Sequence, residues 1–249
     1  MKRRRVGLYL LTVLAFWSPP SIACTVVPEQ PNVIFPVEKM DAQAVCRLAE
    51  VVNDYTTHQI LPAVPVPIPK ALYDFLLDHP VLTAELVTGL NVGNYRVVPR
   101  APGVFHGEDN QGGEAVLTLL YQDPRQRVYY LVGSQSGYLF PITGTGVVML
   151  NYHTKLEPEG REIVDTKVTV YSRLDNRFLA RLVKILRPLL QDIVNKKLTK
   201  GVRTVHNFTE VLGNDPERVY RQLETVTNAD QSEIQALRSL MLLALKKAG

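Results

Sequence analysis

Beyond its first two dozen residues the sequence has no apolar run of the ~18 residues that a membrane-spanning helix needs, so no internal span is expected. It contains no internal repeat and no low-complexity tract, which sets aside solenoids, propellers and unstructured tails. It also lacks a real excess of charge. The formal charge is +4, from 28 Lys+Arg against 24 Asp+Glu. Lys2, Arg3, Arg4 and Arg5 hold that surplus, and no acid precedes Glu29, so 24 charges of each sign remain beyond them. A balanced domain has no basic stripe with which to grip phosphates, and nucleic acid is not expected as a partner.

Motifs for metal and nucleophilic chemistry are equally scarce. The five histidines, at positions 58, 79, 106, 153 and 206, form no i,i+4 pair and no His-Glu-x-x-His. His106, Glu108 and Asp109 stand in one stretch, but a zinc site needs three or four convergent ligands, and a solvated polar loop is the reading there. Residues 133–137 (GSQSG) place Gln135 where a nucleophile elbow needs serine, and residues 144–146 (GTG) lack the lysine of a phosphate-binding loop. No cofactor, no metal and no catalytic residue is assigned.

What the chain does have is a secretory N-terminus. The basic residues 2–5 lead into an apolar stretch at 6–17, Pro19 and Pro20 break it, and Ser21 and Ala23 supply small residues before a cut ahead of Cys24. Residues 1–23 are therefore expected to act as a signal peptide, with export to the periplasm. Cys24 has two alternative fates. Residues 21–24 (SIAC) resemble the acylation site of bacterial lipoproteins, which would make Cys24 a lipid anchor, although Pro20 and Ser21 depart from the usual pattern. Alternatively Cys24 pairs with Cys46, since two cysteines form an even set in an oxidising compartment. An acylated sulfur cannot form a disulfide, so each fate excludes the other.

Past this point the periodicity changes several times. Residues 24–57 hold a proline-bearing lead-in and one helix, over 40–53. Residues 60–68 alternate proline with aliphatics, which suits an edge strand. Two short helices follow, one starting at Pro69 and ending at Pro80, the next over 81–90 with Gly89 as its C-cap. Strands are expected at 95–99, and as hairpins over 114–133 and 147–172, with a loop at 101–113 and either a further strand or a long loop over 133–146. Val164, Thr166, Val168 and Val170 share one face of the last strand, which suggests a sheet with one covered side. A long apolar-striped helix spans 177 to about 200, with room for another turn or two past Gly201; it is opened by Asp175 or Asn176 and contains Pro188, and two further helices lie near 216–223 and from Asp230. The order is that of an α+β layer fold.

In that order, and in residues 65–80 (PVPIPKALYDFLLDHP), the chain resembles the START-like (SRPBCC, helix-grip) superfamily over roughly residues 58–205. The resemblance implies a curved antiparallel sheet gripping a long C-terminal helix, with residues 206–249 as a helical extension. It further implies a carrier of a hydrophobic small molecule (a lipid, sterol, quinone or similar) in a cavity between sheet and helix. Candidate wall residues are Tyr121, Tyr129, Met149, Tyr152, His153, Tyr171, Leu182 and Leu186, with Pro188 beside them. The same residues would also fill a solid core, as in an envelope structural or interaction protein. An enzyme of cyclase or hydrolase type would instead need His153 or Asp165 in the cavity. Lys196, Lys197, Lys200 and Arg203 form a basic turn that either complements the helix dipole or meets a membrane surface.

Overall fold

The structure, a computed structural model, describes residues 24–248 apart from 31, 137–140, 159 and 176–182. The lead-in passes through a 3₁₀ turn, Val37–Lys39, into α1, Ala42–Val52. The Asp41 carboxylate accepts from the Ala44 N–H at 2.8 Å, which satisfies one of the orphan donors at the start of α1. Next come β1 (Thr57–Val66), α2 (Lys70–Asp78) and α3 (Pro80–Gly89). Six strands follow: β2 (Tyr95–Ala101), β3 (Val104–Asp109), β4 (Gly113–Asp123), β5 (Gln126–Gln135), β6 (Ile142–Leu156) and β7 (Glu162–Leu174). The chain ends in α4 (Val183–Asn214), α5 (Pro216–Leu223) and α6 (Gln231–Ala248). Among the described residues no helix is long and apolar enough to cross a membrane.

All seven strands form one antiparallel sheet in the order β1-β7-β6-β5-β4-β3-β2. Strands β2 to β7 meander, and β1 returns to the edge beside β7. Proline explains that placement. Pro62 and Pro65 cannot donate to a ladder, and an edge strand tolerates the loss. The β1–β7 register shifts between Leu61 and Val64, so Pro62 falls in the irregularity. The fold is thus the expected α+β arrangement of a curved sheet and a long C-terminal helix.

Several local expectations are corrected. The stretch 101–113 is not a loop, because β3 pairs there with both β2 and β4. Of the two readings of residues 133–146 the strand holds at both ends, as the end of β5 and the start of β6, paired from Gly133↔Gly144 to Gln135↔Ile142. Glycines at 107, 133, 144 and 146 dilute the strand pattern in both places, since glycine leaves a strand without side chains to read. The left-handed residue after α3 is Asn91, with φ 56°, and Gly89 lies inside the helix. Helix α4 is 32 residues long, runs through Pro188, and continues past Gly201 further than the turn or two expected, to Asn214. The expected helix start at Asp175 or Asn176 lies at the margin of the described residues.

Both faces of the sheet are covered, not one. On the outer face Leu48, Val51 and Val52 of α1, with Val33 and Phe35 of the lead-in, bury Val128, Val147, Met149 and Tyr171. Each such fully buried aliphatic side chain contributes about 1.5–3 kcal/mol. The lead-in is clamped to α1: the Val27 N–H donates to Asn53 Oδ1 at 2.8 Å, and Asn53 Nδ2 donates to the Thr25 carbonyl at 2.7 Å. Cys24 and Cys46 are joined in a disulfide, with their Cα atoms 5.0 Å apart. The Cys24 sulfur is spent on Cys46, so the lipid-anchor alternative gives way to the disulfide.

The inner side carries the second core. Leu72, Leu76, Leu82 and Leu86 of α2 and α3 pack with Phe208 and Leu212 of α4, Val219 and Leu223 of α5, and Ile234, Leu237 and Met241 of α6. The C-terminal helices therefore share one core with α2 and α3, and α4 crosses residue 205 without a break. Asp215 caps α5, accepting from the Arg218 N–H at 3.1 Å, with Pro216 at the first helical position. Helix α6 leaves Leu242 and Leu243 exposed.

Candidate functional site

A cavity of about 310 Å³ lies between the edge of the sheet, α2 and α4. Leu61, Val64 and Val66 of β1, Leu150 of β6, and Thr166 and Val168 of β7 form its floor. Tyr73, Leu76 and Leu77 of α2 close one side, and Leu198, Gly201, Val202, Val205, Phe208 and Thr209 of α4 form the roof. The roof positions recur every three or four residues, so they share one helix stripe. Gly201 leaves that stripe without a side chain at its middle: a Cβ built there meets no atom within 4 Å. The bulged, proline-bearing β1 supplies the opposite wall. The inner region is therefore hollow at this point, and the expectation of a solid core does not describe it.

The few polar groups on the wall are nearly all occupied. The Thr83 hydroxyl donates to the Leu76 carbonyl at 2.8 Å, and the Thr209 hydroxyl donates to the His206 carbonyl at 2.9 Å. Lys197 forms an ion pair with Asp109. The Tyr73 and Thr166 hydroxyls meet each other at 2.9 Å. Burial pushes the Tyr73 phenol up to about 12, against smaller opposing help from Thr166, so it is a neutral hydroxyl at physiological pH.

The Lys197–Asp109 pair ties the middle of α4 to the turn between β3 and β4. Asp109 Oδ1 also accepts from the N–H groups of Gln111 at 2.8 Å and Gly113 at 3.0 Å. Burial alone would raise the Asp109 carboxyl, but Lys197 and these two N–H donors outweigh it and hold the group below its ordinary value. One turn on, Lys200 donates to Asn110 at 3.1 Å and lies 5.4 Å from the centre of the Tyr95 ring. Two members of the expected basic turn are thus committed to holding the helix on the sheet.

At the far end of α2 a buried cation closes the inner face. Arg127 donates to Asp78 at 2.7 Å and to the Tyr152 hydroxyl at 3.4 Å, and Tyr152 in turn donates to the Asp123 carbonyl at 3.4 Å. This joins α2 to the β4–β5 hairpin. A smaller cavity of about 230 Å³ lies at the opposite end of the sheet, bounded by Gly133, Thr143, Ser172, Arg173 and the α4 residues Ile193 and Val194.

Of the eight wall residues expected from sequence, the six whose side chains are described do not line the larger cavity. Met149 and Tyr171 lie in the outer core, under α1. Tyr121 packs against the same core, because the β4–β5 register shifts between Leu119 and Tyr121 and turns it outward opposite Val128. Tyr129 and Tyr152 do face inward, near Arg127, and Tyr152 stacks 5.2 Å from Tyr73. Leu182 lies outside the described residues, as does the Leu186 side chain. His153 is exposed, its Nε2 3.7 Å from Asp165, which is also paired with Lys155. Asp165 neighbours the cavity-lining Thr166, so strand alternation puts this pair on the other face of the sheet. The cyclase- or hydrolase-type alternative required it in the cavity and loses its residues.

Sequence reasoning missed Tyr73, Leu150, Thr166 and Val168. The alternation of β7 did put Thr166 and Val168 on one face; aromatic size drew the selection to Tyr171 on the other.

A long helix laid on an antiparallel meander, with two short helices between β1 and β2, is a helix-grip arrangement. A conserved protein from Geobacillus kaustophilus is similar over 61% of this chain and 95% of its own, with 7% identity and a TM-score of 0.45. Ara h 8.0201 is similar over 61% of this chain and 98% of its own, with 14% identity and a TM-score of 0.36. The di-domain ARO/CYC BexL is similar over 68% of this chain and 55% of its own, with 15% identity and a TM-score of 0.37. No protein-family model matches the sequence, and no curated protein matches it.

Proposed function

We propose that this chain is an exported protein that binds or shuttles a hydrophobic small molecule, held in the cavity between β1, β7, α2 and α4. The observation that carries the reading is the cavity itself: about 310 Å³ walled by aliphatic side chains, at the low end of the size usual for small-molecule sites. The resemblance of the element order and of residues 65–80 to the START-like superfamily, which implies such a carrier, accords with the reading. Export is supported by the signal-like residues 1–23 and by a disulfide that an oxidising compartment would preserve. The test is organic extraction of the purified protein followed by mass spectrometry. A co-purified apolar molecule in near-stoichiometric amount is the expected result; an empty extract, with no uptake of an added apolar dye, would overturn the proposal.

A further inference from the structure

The Tyr73–Thr166 contact contains one hydrogen-bond donor too many. Two hydroxyls 2.9 Å apart share a single hydrogen bond, in which one donates and the other accepts. The accepting hydroxyl still carries its own hydrogen, and among the described residues no second acceptor meets either group. Both residues are buried, and both line the cavity. A buried donor without an acceptor costs about 1–3 kcal/mol, and such groups are rare in folded proteins. The remaining wall hydroxyls, Thr83 and Thr209, have spent their donors on backbone carbonyls.

Charge on the wall narrows the ligand further. Among the described residues the one cation on the wall, Lys197, is already neutralised by Asp109, and no carboxylate lines the cavity. A cationic ligand would find no counter-ion, and an anionic one would compete with Asp109 for Lys197. Resting on the carrier reading above, we infer that the ligand is a neutral, mostly hydrocarbon molecule bearing a carbonyl oxygen, and that this oxygen accepts the spare hydrogen of the Tyr73–Thr166 pair. The neutral state of the phenol keeps that donor available throughout the physiological range.

The test uses the full chain and a matched pair of probes, 2-nonanone and nonane, each titrated against a bound apolar fluorescent dye. Either hydroxyl alone can donate, so Tyr73→Phe and Thr166→Val singly should retain the ketone-to-alkane affinity ratio. The double variant has no donor left, and the ratio should fall about tenfold, the factor that corresponds to one hydrogen bond of about 1.4 kcal/mol. In the native protein the infrared carbonyl band of bound 2-nonanone should shift to lower frequency relative to the ketone in an alkane solvent. This readout needs no variant. An unshifted band, or a ratio unchanged in a double variant that still binds nonane, overturns the inference and leaves the carrier reading standing. Failure of the native chain to bind either probe overturns both.

Discussion

Gly201 sits in the interior of a 32-residue helix, where glycine is about 0.8–1.0 kcal/mol less favourable than alanine. It stands on the cavity roof, and a Cβ added there meets nothing within 4 Å. Gly201→Ala should therefore recover nearly the whole propensity difference, mostly through lost freedom in the unfolded chain, with no steric penalty set against it. For a chain of this size about 1 kcal/mol corresponds to a rise in Tm of roughly 2–4 °C. Thermal unfolding followed by far-ultraviolet circular dichroism would measure it. Gly133→Ala is the natural control: its Cβ would sit 2.5 Å from the Glu114 carbonyl oxygen and 2.9 Å from Ala115 Cβ. Backbone cannot swing away as a side chain can, so that change should cost about 1–3 kcal/mol. If Gly201→Ala left Tm unchanged or lowered it, either the helix would not be continuous at this position or the space beneath it would not be free.

The staple and the latch make two further predictions. Cys24 and Cys46 are 22 residues apart, and closing a loop of that length stabilises by about 3 kcal/mol in the chain-entropy description. Cys46→Ser should lower the free energy of urea unfolding by about that amount, and a reductant should reproduce the loss in the native chain but change nothing in the variant. Asp109 titrates below its ordinary 3.8 in the folded state, so its contribution is complete above that value and is lost as pH falls through the lower, folded one. The stability gap between the native chain and Asp109→Asn should stay constant from neutrality to about pH 4 and close below it. A gap that persisted into strong acid would show that the Lys197 contact is not what stabilises the turn.

The order of elements and the grip of a long helix on a meander were legible because they rest on coarse periodicity. A stripe such as Leu198, Val202 and Val205 continues across Gly201, and the edge position of β1 follows from its prolines. The choice of cavity residues was not legible to the same degree, for reasons of register. Strand side chains alternate, so a displacement of one residue exchanges the two faces. Met149 and Tyr171 are one step from Leu150 and from the inward-facing positions of β7, and size alone does not distinguish them. It was the outer layer, built from the lead-in and α1, that required large side chains at those positions. The bulge after Leu119 turned Tyr121 outward without any proline or glycine to announce it. The spare donor of Tyr73 and Thr166 depends on two residues 93 positions apart, a pairing that only the folded chain brings together.

The central claim is that an apolar molecule occupies the hollow beneath α4, and native mass spectrometry of the isolated protein tests it most directly when Val202→Trp is measured beside it. Val202 faces the cavity from the roof, and an indole there would fill much of the 310 Å³ while leaving both cores in place. One adduct per native chain, released on denaturation and missing from the variant, is the predicted result. A native chain that carries no adduct, or a variant that keeps it, would contradict the account.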